Sequence, residues 1–390
     1  MAVDSAWLDQ NLGGRPRAEQ LAATLPSPTQ AAPATPDALA RARIDFDGEA
    51  REALARAAAW PAAPPTLSAY VPVAWPPGLA PEPDAQAPEG ESLPHADVLI
   101  VTWTLEEGRA LARVLTPGYE SHLPSAGSPL PAGLTPWKAY TKNYVALTAH
   151  MKARSPARES GRLGSYWSAQ IGDKRVVLFK SESHMSQDGP EALATTPNGP
   201  VWRQLIEDCK PRWVITTGTA GGIGAEALVG DVIVSRHVTF DAGGHPPALE
   251  PFACADTAPA ARLSEAHALF AANAQFLPKT NARPPRIVAG KTQRSGVVTT
   301  RGFQYDDTAN TFELKGKGDV CEMGDAVLGY VCRELGAQAP DYVMVRNVSD
   351  PEIDSADPEA SKLAGYIYEH FGRWSTVCSA IACWAVVAGL

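Results

Sequence analysis

The chain has 390 residues, 45% of them apolar, and a formal net charge of -9. The length allows two or three domains, or one large α/β domain plus an extension, and the apolar share is enough for a sizeable core. The acidic balance argues against nucleic acid as a partner, because a basic stripe is expected of such a surface.

The six cysteines form no C-x-x-C pair, and no His/Cys cluster has zinc spacing. They read as reduced, buried thiols of a cytoplasmic protein, and no metal or organic cofactor is expected. The opening MAVDSAWLDQ lacks a basic segment followed by an apolar one, so no secretory leader is expected. The apolar run from Trp374 to Leu390 is shorter than the roughly 20 residues of a membrane span and reads as a buried closing helix, with no membrane contact.

Residues 1–92 differ from the rest. Asp37 to Trp60 has a helix-forming composition, set among tracts such as WPAAPPTLSAY and WPPGLAPEPDAQAPEGESLP. This part is predicted as a Pro/Ala-rich extension with one or two helices, and residues 93–390 as the main domain. The first predicted strand is Asp97 to Thr102, a continuous apolar run suited to burial on both faces. A helix follows through EEGRALARVL, with Leu111, Val114 and Leu115 at helical spacing. Thr104 and Glu107 stand at capping-box spacing. Glu107 therefore has two readings, a cap or a carboxylate at the mouth of a ligand crevice.

Thr116 to Gly133 reads as a surface loop. Arg175 to Phe179 is a strand whose exit carries Ser181, Ser183 and His184, and Val201 to Cys209 is a helix. The central stretch is WVITTGTAGGIGAEALVGDVIV, Trp213 to Val234. A β-branched strand is expected to enter a glycine-rich turn at Gly218, Gly221, Gly222 and Gly224, before a second strand at Val232 to Val234. Such a turn brings bare backbone to a strand's carboxyl end, where small ligands of open α/β sheets bind; a tight strand exit without a ligand is the alternative. Beyond it lie a second turn holding Phe240 and Asp241, a helix over Ala258 to Phe276, and a strand over Gly296 to Thr300. That strand leads to Phe303, Tyr305, Asp306 and Asp307. Gly324 to Leu335 is helical by pattern with Gly336 as its C-terminal cap. Tyr342 to Val345 is a strand delivering Arg346, Asn347, Ser349 and Asp350 before Pro351 ends it; helices over Glu359 to Phe371 and Trp374 to Val387 close the chain. The alternation predicts a largely parallel sheet with helices on both faces.

Three blocks together resemble the nucleoside phosphorylase/nucleosidase superfamily: VLIVTWTLEE (Val98 to Glu107), ITTGTAGGIGAEALVGDVIV (Ile215 to Val234) and CEMGDAVLGYVCRELG with VMVRNVSD (Cys321 to Asp350). The resemblance covers about residues 96–390. It implies a mixed, partly barrel-like central sheet ringed by helices, a homo-oligomer, and cleavage of the N-glycosidic bond of a purine nucleoside or nucleotide. Water or phosphate is the acceptor. The resemblance assigns Asp350 as the acid that protonates the leaving base, with a turn at Ser349-Asp350-Pro351 as the plain alternative. It sets the backbone of Thr217, Gly218, Thr219, Ala220 and Gly221 beside sugar and base, with Arg346 and Ser349 next to Asp350. Phe303, and secondly Phe240, are candidates to stack on the base.

The glycine-aspartate-proline loop of the phosphorylases is not visible at the first strand's end, nor is an arginine before the central glycines. An ungapped match instead puts Glu107 where nucleosidases carry the carboxylate that activates water; a one-residue shift selects Glu106. Hydrolysis is therefore favoured over phosphorolysis. One departure stands out: where the family's Met-Glu pair grips the ribose hydroxyls, this chain has Met323 followed by Gly324. Glu322 or Asp325 would have to serve instead, each about 100° away on a helical turn. A non-catalytic nucleoside-binding module is the third reading that this break leaves open.

Overall fold

Strand β2, Val98–Thr102, is buried along its whole length. Leu99 and Val101 belong to one apolar cluster, and Val98 and Ile100 to another. Period-two alternation thus divides one β-branched run between the two faces of the sheet, as a central parallel strand requires. The computed structural model describes residues 75–84, 92–116, 137–151, 155–183, 199–223, 230–241, 252–253, 266–272, 285–290, 296–300, 314, 316–351 and 373–390.

Among these residues the architecture is mixed α/β, a sheet of 13 strands flanked by helices. β2 lies between β5 (Lys174–Ser181) and β6 (Trp213–Gly222), parallel to both. β5 turns back through Gly172, whose φ is +60°, onto antiparallel β4 (Gly164–Ile171). The sequence does not announce β4, because GSYWSAQI carries glycine, serines and glutamine and one β-branched residue.

Part of the sheet closes on itself. β6 pairs in parallel with β13 (Asp341–Pro351), and β13 runs antiparallel to β7 (Val232–Ser235). Arg236 alone separates β7 from β8 (His237–Asp241), which pairs with β11 (Val297–Thr300). β11 pairs with β12 (Val320–Glu322), and β12 returns to the far end of β6. This closed circuit is the barrel-like part of the sheet.

Two corrections to the predicted elements matter for the site. Gly218, Gly221 and Gly222 are not a turn; they lie within β6, which stays paired with β13 as far as Gly222. Ser349-Asp350-Pro351 is likewise strand, with a bulge between Val348 and Asp350. In both cases ladder hydrogen bonds to a long neighbour override a local turn signal.

Helix α1 (Leu105–Leu115) follows β2, α2 (Tyr144–Thr148) and α3 (Pro156–Ser160) are short, and α4 (Gly199–Cys209) precedes β6. α5 (Asp325–Glu334) follows β12; Gly336 beyond it takes φ +58°, the left-handed conformation that favours glycine after a helix. α6 (Arg373–Gly389) is buried on all sides from Ser375 to Val386 and packs on α1, β6 and β13. Among the described residues no helix is long and apolar enough to cross a membrane.

The described end of the proline-rich connector packs on this domain. Trp75 meets Trp384 of α6 edge-on at 4.7 Å between ring centroids, and Trp384 Nε1 donates to the Leu79 carbonyl at 2.8 Å. Residues 1–74 lie outside the described residues, as do His184, Gly224, Cys254, Phe303, Tyr305, Asp306, Asp307, the helix expected over Glu359 to Phe371 and most of the helix expected over Ala258 to Phe276.

Candidate active site

The carboxyl ends of β2 and β6 and the middle of β13 meet at one buried arginine. Arg346, on β13 opposite Gly218 of β6, is 2% exposed. Its Nε and Nη2 donate to the two carboxylate oxygens of Asp325 at 2.9 and 2.5 Å, a bidentate fork. Nη2 also reaches Glu322 at 3.3 Å, Nη1 donates to the Thr219 carbonyl at 3.4 Å, and Glu107 Oε1 stands 3.8 Å from Nη1. The Trp103 ring lies against the guanidinium at 4.8 Å, in cation–π contact. Three carboxylates thus surround one cation. Burial alone would weaken the guanidinium's hold on its proton; Asp325 and then Glu322 outweigh it and keep Arg346 charged.

Glu107 sits at the first turn of α1 and ties two strands together. Thr104 and Glu107 form the capping box reciprocally, the Glu107 N–H donating to Thr104 Oγ1 at 3.2 Å. Glu107 Oε2 accepts from Thr102 Oγ1 at 2.8 Å and from the N–H groups of Trp103 and Thr104 at 3.1 and 2.9 Å. Oε1 accepts from the N–H and the hydroxyl of Thr219 at 2.8 and 2.9 Å. Burial would raise its pKa; the Arg346 charge and the N–H groups of Thr104 and Thr219 prevail and hold it below the ordinary carboxylate value. Gly218 makes this approach possible. Its φ is +147°, and a Cβ there would stand 2.2 Å from Glu107 Oε1. The glycine signal in β6 therefore answers to Glu107.

Replacing Glu107 by Gln is expected to lower stability by about 1–3 kcal/mol, since an amide NH2 would face donors. Chemical denaturation measures it; an unchanged midpoint would contradict the role assigned to these hydrogen bonds.

Glu322 ends β12 and closes the start of α5. Its oxygens accept the N–H of Gly324 at 2.6 Å and of Asp325 at 3.0 Å, and the hydroxyl of Thr299. Burial, and next the charge of Asp325, push Glu322 up to about 8 against the pull of Arg346. The folded state therefore binds a proton that the unfolded chain releases near its ordinary value of 4.5. Stability contributed by that proton is complete below pH 4.5 and falls as pH rises toward 8, by at most about 1.4 kcal/mol per unit. Glu107, with its lowered pKa, acts in the opposite sense and only in acid, below 4.5. Denaturation midpoints from pH 5 to 8 are expected to decline in the native protein and to flatten in Glu322→Gln; equal slopes would contradict this.

Of the residues singled out in the sequence, Glu107, Thr219, Gly218, Glu322, Asp325 and Arg346 are brought together. Met323 stands between β12 and α5, partly buried against the core. Ser349 Oγ donates to the Ala220 carbonyl at 3.3 Å. Thr217 is buried in β6 opposite Val345, and Phe240 is buried in β8 within the core. Gly221 pairs with Cys321 on one side and with Asp350 on the other, so the backbone of Asp350 is two strands from β12. The side chains of Asp350 and Glu106 lie outside what is described. Sequence reasoning missed Trp103, Thr102, Thr299 and Tyr342. The Tyr342 hydroxyl donates to the Asp325 carbonyl at 2.8 Å. Only Trp103, an aromatic at the exit of a buried strand, carried a local signal. Among the described residues no group of three or more His, Cys, Asp or Glu is placed to hold a metal ion.

The Phosphorylase superfamily model matches residues 140–382, more than half of the chain. This protein belongs to the phosphorylase superfamily. Similar solved structures include the 5′-methylthioadenosine/S-adenosylhomocysteine nucleosidase of Helicobacter pylori, at 13% identity and TM-score 0.46 over 75% of this chain and 98% of that one. The futalosine hydrolase of the same organism aligns at 13% identity and TM-score 0.46, over 75% and 97%. The 5′-methylthioadenosine/S-adenosylhomocysteine nucleosidase of Neisseria meningitidis aligns at 18% identity and TM-score 0.45, over 75% and 100%.

Proposed function

We propose that this phosphorylase-superfamily protein hydrolyses the N-glycosidic bond of a purine nucleoside or nucleotide derivative. The observation that carries the reading is the convergence of three distant sequence blocks, through Glu107, Thr219 and Arg346, at the carboxyl end of β2. In this reading Asp350 protonates the leaving base, and Glu107 activates the attacking water. Cleavage passes through a cation-like sugar, so a fixed anion nearby stabilises it while the base takes up a proton. Glu107 is ionised at neutral pH, as this role requires, but its lone pairs are already engaged. Thr219 is the half-buried member of the group, and its hydroxyl donates to Glu107 Oε1. A water held on the Thr219 oxygen is one proton relay from the carboxylate.

The test is incubation of the pure protein with adenosine, methylthioadenosine, S-adenosylhomocysteine, AMP and ATP, each with and without phosphate, and chromatography of the products. Free base in the absence of phosphate is expected from at least one of them. Base release that requires phosphate would make the enzyme a phosphorylase. No release from any of them would count against catalysis and for a binding module.

A further inference from the structure

The proline-rich connector does more than lead into the domain. Its WPPGL stretch closes a tight turn: the Leu79 N–H donates to the Pro76 carbonyl at 3.0 Å, and Gly78 takes φ +77°. Proline at the second place and glycine at the third are what a type II turn favours. The turn sets Trp75 and Leu79 side by side on α6, both partly buried against the core beside the fully buried Trp384. Leu79 also fills the space over Gly172, where a Cβ would stand 3.3 Å from Leu79 Cδ2.

Three residues on, the chain becomes β1 (Glu82–Pro83). β1 runs antiparallel to β4, Glu82 opposite Gln170 and Pro83 opposite Ala169, and the Asp84 N–H donates to the Ser168 carbonyl at 3.1 Å. β5 holds one edge of β4 along its whole length, so β1 shares the other with β3 (Lys138–Tyr140), which pairs with Gly164 to Tyr166. The two lie end to end, and among the described residues β1 is what covers this edge from Ser168 to Gln170. β1 is itself a poor template for a further strand. Pro81 and Pro83 have no N–H to offer, and Glu82 and Pro83 are exposed. Prolines and a charge on an outermost strand are how natural sheets end without recruiting another chain. The stretch of β4 beneath, Ser168 to Ile171, holds neither proline nor charge.

We propose that Trp75–Asp84 is a covering strap that keeps the outer edge of β4 from pairing with the same edge of a second copy of this chain. Two identical edges related by a two-fold axis run antiparallel, so this edge is complementary to itself once uncovered. An edge-on indole contact, an indole hydrogen bond and a two-residue ladder fasten the strap, so the loss of one or two side chains releases it. None of this depends on the hydrolase reading.

The full-length chain carrying Trp75→Ala and Leu79→Ala tests it, by hydrogen exchange over Ser168 to Ile171 and by light scattering across a concentration series. Exchange at the N–H groups facing away from β5 is expected to rise by about tenfold or more, and species larger than the native one to grow with concentration. A synthetic Trp75–Asp84 peptide in excess should reverse both. Where the double variant does not fold, Trp384→Phe, which keeps a ring and loses the N–H, takes its place with the same expectations. Native exchange rates would overturn the proposal, as would faster exchange with an unchanged assembly state at every concentration, or association that the peptide does not suppress.

Discussion

Replacing Arg346 by Met is expected to cost about 3–5 kcal/mol of stability, the largest single effect foreseen in this protein. The figure follows from what remains. Glu107, Glu322 and Asp325 are each at most 4% exposed, and Arg346 is the cation that all three face. Its removal strands like charges in a medium that solvates them poorly, and they must take up protons or separate. Asp325 at the first position of α5 and Glu107 within the first turn of α1 would both lose their fixed orientation. Urea denaturation at pH 7 and at pH 5 measures this. The deficit should be smaller at pH 5, where protonation relieves the repulsion. Arg346→Lys should fall between, since an ammonium keeps the charge but cannot make the planar fork to Asp325. An Arg346→Met protein as stable as the native one at both pH values would show that the cluster holds no net charge to be neutralised.

Asp350→Asn is expected to reduce base release by about 10² or more while leaving the thermal midpoint near its native value. A general acid must deliver a proton, and the amide has none of suitable acidity. The residue stands at the end of β13, just past the bulge at Ser349, with its backbone in register with Gly221. Bulges at strand ends commonly set the aim of a functional side chain, which is a second reason to test this position. Initial rates of purine release, with the midpoint as a control on folding, decide the matter. Near-native turnover would remove Asp350 from the mechanism.

Much of this fold is written in local patterns. The continuous apolar run of β2, the β-branched opening of β6 and the helical spacing of Leu111, Val114 and Leu115 each have one good structural solution. The Thr104–Glu107 capping box was legible because it spans four consecutive residues. β1 (Glu82–Pro83), β3 (Lys138–Tyr140), β4, β9 (Phe252–Ala253), β10 (Ile287–Gly290) and β12 were not legible. They are short or polar, and their strand state comes from the neighbour they pair with.

The candidate site divides in the same way. The sequence by itself determined that Glu107 and Asp325 lie at helix starts, since caps and glycines are local signals; Arg346, expected just past a strand ending at Val345, lies instead in the middle of β13. Only the tertiary structure decided that Glu107, Glu322 and Asp325, from segments more than 200 positions apart at their extremes, face a single guanidinium. It also decided why two glycines are glycines. Gly218 leaves room for the carboxylate of Glu107, and Gly324 for the indole of Trp103. Neither neighbour is near in sequence, so no local rule names it. Contact between distant segments is settled by packing, and packing is a property of the whole fold.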